Sequence, residues 1–119
     1  MNYNQKVGQF GEELAKNYLV KHGYVIVARN VKTNYQELDI VAKKEDVYVF
    51  VEVKTRTSDT YGEADEAVDY RKLNNLKYAA QNYSFSNKIF EEDVRVDLIS
   101  VDIDKGKKTA KIKHYQGIV

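Results

Sequence analysis

Apolar positions recur along the chain with two different periods. Between residues 4 and 23, Val7, Phe10, Leu14 and Tyr18, flanked by Gly11, Ala15, Leu19 and His22, follow spacings of three and four. That is the stripe of a helix packed on one side. Asn4 is its expected N-cap and Gly23 the expected residue just past its end. Gly8 and Gly11 fall inside it, where each costs roughly 1 kcal/mol relative to alanine. They fit either close approach of a backbone or substrate, or a late and frayed helix start. The period then changes. Residues 24–31, 37–42 and 47–54 are rich in β-branched and aromatic side chains and predict strands. Residues 30–35 lead into the hairpin formed by the last two, and residues 43–46 supply its turn. Residues 63–68 predict a short helical turn. Asp69 then caps a helix reaching residue 85, with Leu73, Leu76, Ala79, Ala80 and Tyr83 inward. Residues 94–103 read as a buried strand and Lys105-Gly106-Lys107-Lys108 as a hairpin turn. In the last strand Ala110, Ile112 and His114 face one way and Thr109, Lys111 and Lys113 the other. A strand, a crossover helix and a strand make a parallel pair. The order α-β-β-β-α-β-β therefore predicts an α/β fold with a mixed sheet and helices on its faces.

The charges within the hairpin change this picture. Strand side chains alternate faces, so Glu37, Asp39 and Val41 share one face, and Leu38, Ile40 and Ala42 the other. Glu52 and Lys54 likewise point together, away from Val49, Val51 and Val53. A two-residue loop at Glu45-Asp46 sets Lys44 opposite Val47, Val41 opposite Phe50, and Asp39 opposite Glu52. A slip of two would set Glu37 opposite Glu52 and leave Asp39 on the same face. Like charges placed opposite one another destabilise a sheet, and burial raises at least one carboxylate pKa. A divalent cation removes the conflict. Magnesium takes one or two carboxylates together with waters and substrate phosphate. Asp39 and Glu52 supply these carboxylates, with the Val53 carbonyl as a further ligand. Lys54, one pleat along, is placed to orient a water or to offset charge on a phosphate. The competing reading is a solvated acid–lysine face without chemistry. Tyr48 and Phe50 on the same face argue that the face is covered. On the first helix, at about 100° per residue, Glu12 lies at the edge of the apolar stripe while Glu13 points away. Glu12 is thus the acid able to lean toward the sheet, or else a boundary glutamate in solvent.

Asp39, a hairpin, and then Glu52-Val53-Lys54 resembles the PD-(D/E)xK nuclease superfamily, which includes restriction endonucleases and Holliday-junction resolvases. More closely, Gly8-x-x-Gly11-Glu12, Glu37-Leu38-Asp39-Ile40-Val41-Ala42, Val49-Phe50-Val51-Glu52-Val53-Lys54-Thr55-Arg56 and Val94-Arg95-Val96-Asp97 are similar to the bacterial YraN family, over nearly the whole chain. Gln36 stands where that family usually has glycine, and the proline of the superfamily's name is absent. The resemblance implies a restriction-endonuclease-like fold, with five strands in sequential order. It implies catalysis by Asp39, Glu52 and Lys54, and metal binding (Mg2+, with Mn2+ as a substitute) by Glu12, Asp39 and Glu52. Arg56, which shares the face of Glu52 if the strand continues, is a candidate phosphate contact or an exposed arginine. Lys72 is another candidate contact, since the family carries lysine at its place. With Arg71 it falls in the first turn of the second helix, an end that favours anions.

Composition narrows the classes. With 119 residues the chain is expected to form one nuclease-like domain. It has no cysteine, which excludes disulfides and thiolate metal sites. No apolar run approaches a membrane span and no N-terminal apolar region suggests export, so a cytoplasmic location without membrane attachment is expected. A net charge of +1 is unlike a strongly basic nucleic-acid binder, although an acidic metal site lowers the sum. The lysine row of the last strand fits a phosphate patch or, more commonly, protection of a sheet edge. Arg95 and Asp97 share a face and are expected to pair. His22 and His114 lack ligand spacing and read as element-end residues. The ten tyrosines suit base stacking or the core and its rim. The leading expectation is a magnesium-dependent endonuclease acting on branched or single-stranded DNA, a homodimer if it cuts symmetric junctions in pairs. The alternatives are a non-catalytic DNA-binding or adaptor module and a satisfied polar network without substrate.

Overall fold

The computed structural model describes residues 1–58 and 70–119. The first helix, α1, spans Tyr3–Lys21 and starts earlier than predicted. Asn2 rather than Asn4 is its N-cap: Asn2 Oδ1 accepts from Gln5 N at 2.8 Å, and Gln5 Oε1 accepts from Asn2 N at 3.0 Å. This reciprocal box needs an amide or acid three residues after the cap, which Asn2 has in Gln5 and Asn4 lacks. Gly23 ends the helix at φ +90°, as expected of a residue past the C-cap. Gly11, Ala15 and Leu19 are buried. Phe10, expected in the same stripe, is 54% exposed.

The two helix glycines separate here. A Cβ on Gly11 would lie 2.7 Å or less from Thr55 Oγ1, Cγ2 and Cβ, so this glycine sets how closely α1 meets the sheet. A Cβ on Gly8 would meet nothing within 4 Å. Gly11→Ala is therefore expected to destabilise by about 1–3 kcal/mol through overpacking, and Gly8→Ala to stabilise by up to about 1 kcal/mol through helix propensity. Urea midpoints for the two variants, read against wild type, should shift in opposite directions.

Five strands follow α1: β1 (Val25–Val31), β2 (Leu38–Lys44), β3 (Val47–Thr57), β4 (Val94–Asp104) and β5 (Thr109–Tyr115). Between β3 and β4 lie helix α2, Tyr70–Ser86, and a 3-10 turn, Glu91–Asp93. The expected turn at residues 63–68 and the expected cap Asp69 lie outside the described residues. The sheet order is β1-β2-β3-β4-β5, with β3 and β4 parallel and the other pairs antiparallel. Alternation along β3 sends Val49 and Val51 to one face and Phe50 to the other. Val49 and Val51 join Ile40, Ala42, Ile99 and Val101 beneath Ala15 and Leu19 of α1. Phe50 joins Val41 and Val96 beneath Leu76, Ala79 and Ala80 of α2. Burying one large aliphatic or aromatic side chain contributes roughly 1.5–3 kcal/mol, against about 0–1 for a surface ion pair. These two clusters therefore hold the helices on opposite faces.

One polar group interrupts the α1 side. Asp97 on β4 is 0% exposed. It pairs with Arg95 as expected, through Nε to Oδ1 and Nη2 to Oδ2, both at 2.9 Å. It also meets His114 Nε2 at 2.7 Å and accepts from Gly117 N at 3.0 Å. His114 Nδ1 lies 3.1 Å from the Tyr18 hydroxyl, and Arg95 Nη2 donates to the Tyr24 hydroxyl at 2.6 Å. His114 is thus part of a buried network, not merely a strand-end residue. Burial, with Tyr24 and Asp97 nearby, holds the Tyr18 hydroxyl above its ordinary pKa, so it remains a donor. That fits the tautomer with hydrogen on Nε2, donating to Asp97, while Nδ1 accepts from Tyr18.

Among the described residues no helix is long and apolar enough to cross a membrane. The sequential mixed five-stranded sheet with a helix on each face is a restriction-endonuclease-like arrangement.

Candidate functional site

The β2–β3 hairpin turns at Glu45-Asp46, with Glu45 at φ +56°. Its ladder runs from Lys44 opposite Val47 to Ile40 opposite Val51, the unslipped register. Extended by one step, it brings Asp39 toward Glu52. At that step the backbone pairing stops, and Asp39 Oδ2 accepts from Val53 N at 2.8 Å. Strict alternation puts Leu38 with Ile40; instead Leu38 packs with Val41 and Phe50 on the α2 side. β2 is leaving β3 here, so its side chains no longer keep the alternation of a paired strand. β3 stays paired with β4 as far as Thr57 opposite Ile103. Glu52, Val53 and Lys54 are therefore held rigidly on one side and open toward Asp39 on the other.

This opening concentrates negative charge. Burial first, then the neighbouring Glu52, with Glu12 adding and the Val53 N–H bond opposing, together push the Asp39 carboxyl up to about 8. Asp39 thus keeps its proton at neutral pH and shares a hydrogen bond with Glu52. Glu12 is raised too, first by burial, then by Glu37, with Arg29 opposing and Glu52 adding. Glu13 turns away, as the helix angle predicts, to Lys16 at 2.9 Å and Arg29 at 3.0 Å, and its carboxyl is lowered by both.

Asn30 was not anticipated as a site residue. It is the penultimate residue of β1, at φ +53°, a conformation asparagine tolerates better than most side chains. With its amide nitrogen turned toward the acids, it donates to Glu12 Oε1 at 3.0 Å and Glu37 Oε1 at 3.2 Å. Its amide orientation is assigned from this network. The sequence signal was an asparagine at a strand end, which specifies a turn but no partner. The turn at Gln36 needs no glycine: Thr33 Oγ1 donates to Gln36 O at 2.7 Å and accepts from Tyr35 N at 3.1 Å and Gln36 N at 3.2 Å.

Glu12 stands between two clefts. One, of about 560 Å³, is lined by Lys6, Phe10, Arg29 and Asn30 among others. The other, of about 390 Å³, runs over Gly8, Val53 and Thr55.

The predicted cations divide. Lys72 Nζ lies 3.0 Å from Glu52 Oε1, so α2 brings this lysine to the acids. Arg56 is neither exposed nor directed outward: it is 8% exposed and bonds Asp102 Oδ1 through Nε at 3.0 Å and Nη2 at 2.6 Å. Its chemistry ties β3 to β4, because a planar guanidinium is well suited to a buried carboxylate. Lys54 lies two residues beyond Glu52 on the unbroken β3. Among the described residues no three acid or histidine side chains form a ready-made metal cage. The Asp39–Glu52 pair still suits a hard cation that keeps several waters and needs one or two carboxylates. The proton held on Asp39 marks the charge such an ion would replace.

The family model of the uncharacterised protein family UPF0102 matches residues 11–101. A UPF0102 protein of Syntrophomonas wolfei is 48% identical over 111 residues, covering 93% of this chain and 95% of that one. Another, from Alkaliphilus oremlandii, is 43% identical over 115 residues, covering 95% and 97%. A third, from Clostridium acetobutylicum, is 41% identical over 110 residues, covering 92% and 90%. With the family's matched span enclosing the whole β2–β3 hairpin and its acids, the chain belongs to the UPF0102, or YraN, family.

Proposed function

We propose that the protein is a metal-dependent nuclease that hydrolyses DNA phosphodiesters, with its site at the Asp39–Glu52 opening. The observation that carries this reading is the pairing itself. Two carboxylates converge where β2 parts from β3, Asp39 is pushed up to about 8, and a lysine follows on the rigid strand. Such a pair is costly to keep unless a charge it can hold has a use. Asp39 and Glu52 would hold the cation, with Glu12 acting through water. A bound divalent ion would lower the pKa of a water and offset charge at the scissile phosphate. Lys54 orients the attacking water and stabilises charge building on the phosphoryl oxygens. Water adds to phosphorus, the P–O bond to the leaving sugar oxygen breaks, and that oxygen takes up a proton. Lys72 exchanges Glu52 for a substrate phosphate.

The test is cleavage of labelled branched, single-stranded and duplex DNA with magnesium, with manganese and with chelator. Metal-dependent product is expected, and Glu52→Ala and Lys54→Ala should each reduce turnover by at least about a hundredfold. Wild-type turnover in either variant would sink the assignment. A second reading draws on the Lys72–Glu52 contact, which offsets one acid without a metal ion. On that reading the protein is a DNA-binding or adaptor module. Salt-dependent binding to branched DNA, indifferent to metal and to Lys54 and without product, would favour it.

A further inference from the structure

Phe10 lies in the apolar stripe of α1, yet its ring is 54% exposed and the core does not use it. It lines the cleft of about 560 Å³ beside Lys6 and Arg29, with Glu12 and Asn30 also in the lining. Those last two residues connect the cleft to the acids through the Asn30 amide. Two acids, Glu12 and Glu13, line the cleft with Lys6 and Arg29; Arg29 bonds Glu13, which Lys16 also reaches from outside the lining. A ring with an open face, basic side chains beside it and room for a small ligand are the parts of a base-stacking subsite.

We propose that this cleft seats one unpaired nucleobase of a DNA strand, its face against Phe10 and its phosphates toward Lys6 and Arg29. The inference rests on the nucleic-acid part of the function proposed above and adds the substrate class. A base inside a continuous duplex has both faces stacked on its neighbours and cannot lie against Phe10. A base at a branch, flap or single strand can. The cleft therefore selects DNA with unpaired nucleotides next to the scissile bond.

The experiment uses the full chain in chelator, so that binding is read without cleavage. Single-stranded, branched and duplex oligonucleotides carrying 5-iodouracil are bound, irradiated and mapped by mass spectrometry, and affinity is followed by anisotropy. A crosslink at Phe10 is expected with the single-stranded and branched DNA and not with the duplex interior. Phe10→Leu, which keeps an apolar side chain but removes the ring, should weaken binding roughly five- to 150-fold, the range for one base–aromatic stack. Phe10→Trp should retain it. The exposed ring can be replaced without opening the core, and circular dichroism checks this for both variants. Unchanged affinity in Phe10→Leu, with crosslinks elsewhere, would overturn the proposal. So would unchanged DNA binding with a concentration-dependent dimer that Phe10→Leu dissociates, which would make the ring a contact between two copies of the chain. Metal-dependent cleavage without the Phe10 effects would leave the nuclease reading standing and remove this one. The Phe10 effects without cleavage in any metal would do the reverse. No binding to any oligonucleotide would remove both.

Discussion

Asp39→Asn is expected to raise the stability of the protein in chelator while abolishing the DNA cleavage proposed above. Asparagine keeps the shape of the side chain. Its oxygen can still accept the Val53 N–H, and its amide can donate to Glu52 in place of the proton held on Asp39. What disappears is the cost of ionising a buried group beside another carboxylate. The sign follows from the raised pKa. In wild type, the stability supplied by protonated Asp39 is full below the ordinary aspartate value near 3.8 and is lost as pH rises to about 8. The asparagine variant has no such loss. Its advantage should therefore be small at pH 4, grow up to pH 8 and level off above. The expected gain on the plateau is on the order of 2–3 kcal/mol, discounted from the full shift because Asp39 titrates together with Glu52. That corresponds to roughly 8–12 °C in a chain of this size. Thermal melts in chelator at pH 4, 6, 8 and 9 read this out. A variant less stable than wild type at pH 9 would show that the acids are held by compensating contacts and carry no stored conflict.

Asp97→Ala should produce one of the larger losses of stability among single changes in the described residues. It removes the acceptor for the Arg95 guanidinium, His114 Nε2 and Gly117 N–H at once, inside a fully buried site. Removing one partner of a buried charge pair typically costs about 3–5 kcal/mol, a large part of the roughly 5–15 kcal/mol holding a domain together. Urea unfolding at neutral pH is the measurement. Asp97→Asn, which keeps one acceptor and the side-chain volume, should fall between wild type and alanine. A cost below about 1 kcal/mol for the alanine variant would mean that water or a rearranged Arg95 satisfies these donors. Because the Asp97 network reaches α1 at Tyr18, in its C-terminal half, the DNA binding proposed above should be unchanged in the folded fraction.

The parts of this molecule that sequence exposes are those set by local rules. The hairpin register follows from a two-residue loop and a period of two, so the approach of Asp39 to Glu52 could be counted out from Glu45. Glu12 could be chosen over Glu13 because a helix turns by a fixed angle per residue. The misses have a different origin. Leu38 changes sides because a carboxylate takes over a backbone bond, which no periodicity encodes. Phe10 fits the stripe, but the core takes its buried contacts from Gly11, Ala15 and Leu19 and leaves the ring outside. His114 meets partners 17 and 96 residues away, a distance at which spacing carries no information. Arg56 meets Asp102 only because β3 and β4 run parallel in one register. Asn2 was within reach, since Asn-x-x-Gln is a capping-box pattern that Asn4 cannot form.

The one-sided support of the acid-bearing strand also bears on the order in which the chain folds. The β2–β3 hairpin closes on itself through neighbours in sequence, so Asp39 and Glu52 can approach while the rest of the chain is still loose. The backbone wall beneath Glu52, Val53 and Lys54 belongs to β4, on the far side of α2, where Lys54 meets Ser100. Parallel pairings across such a connection form slowly, because loop closure precedes any gain from contact. The acids are thus expected to meet before the strand carrying two of the three proposed catalytic residues is fixed. Assembly of a working site then waits on the slowest step of the sheet, and a chain with a native-like hairpin alone has the residues of the chemistry without their alignment.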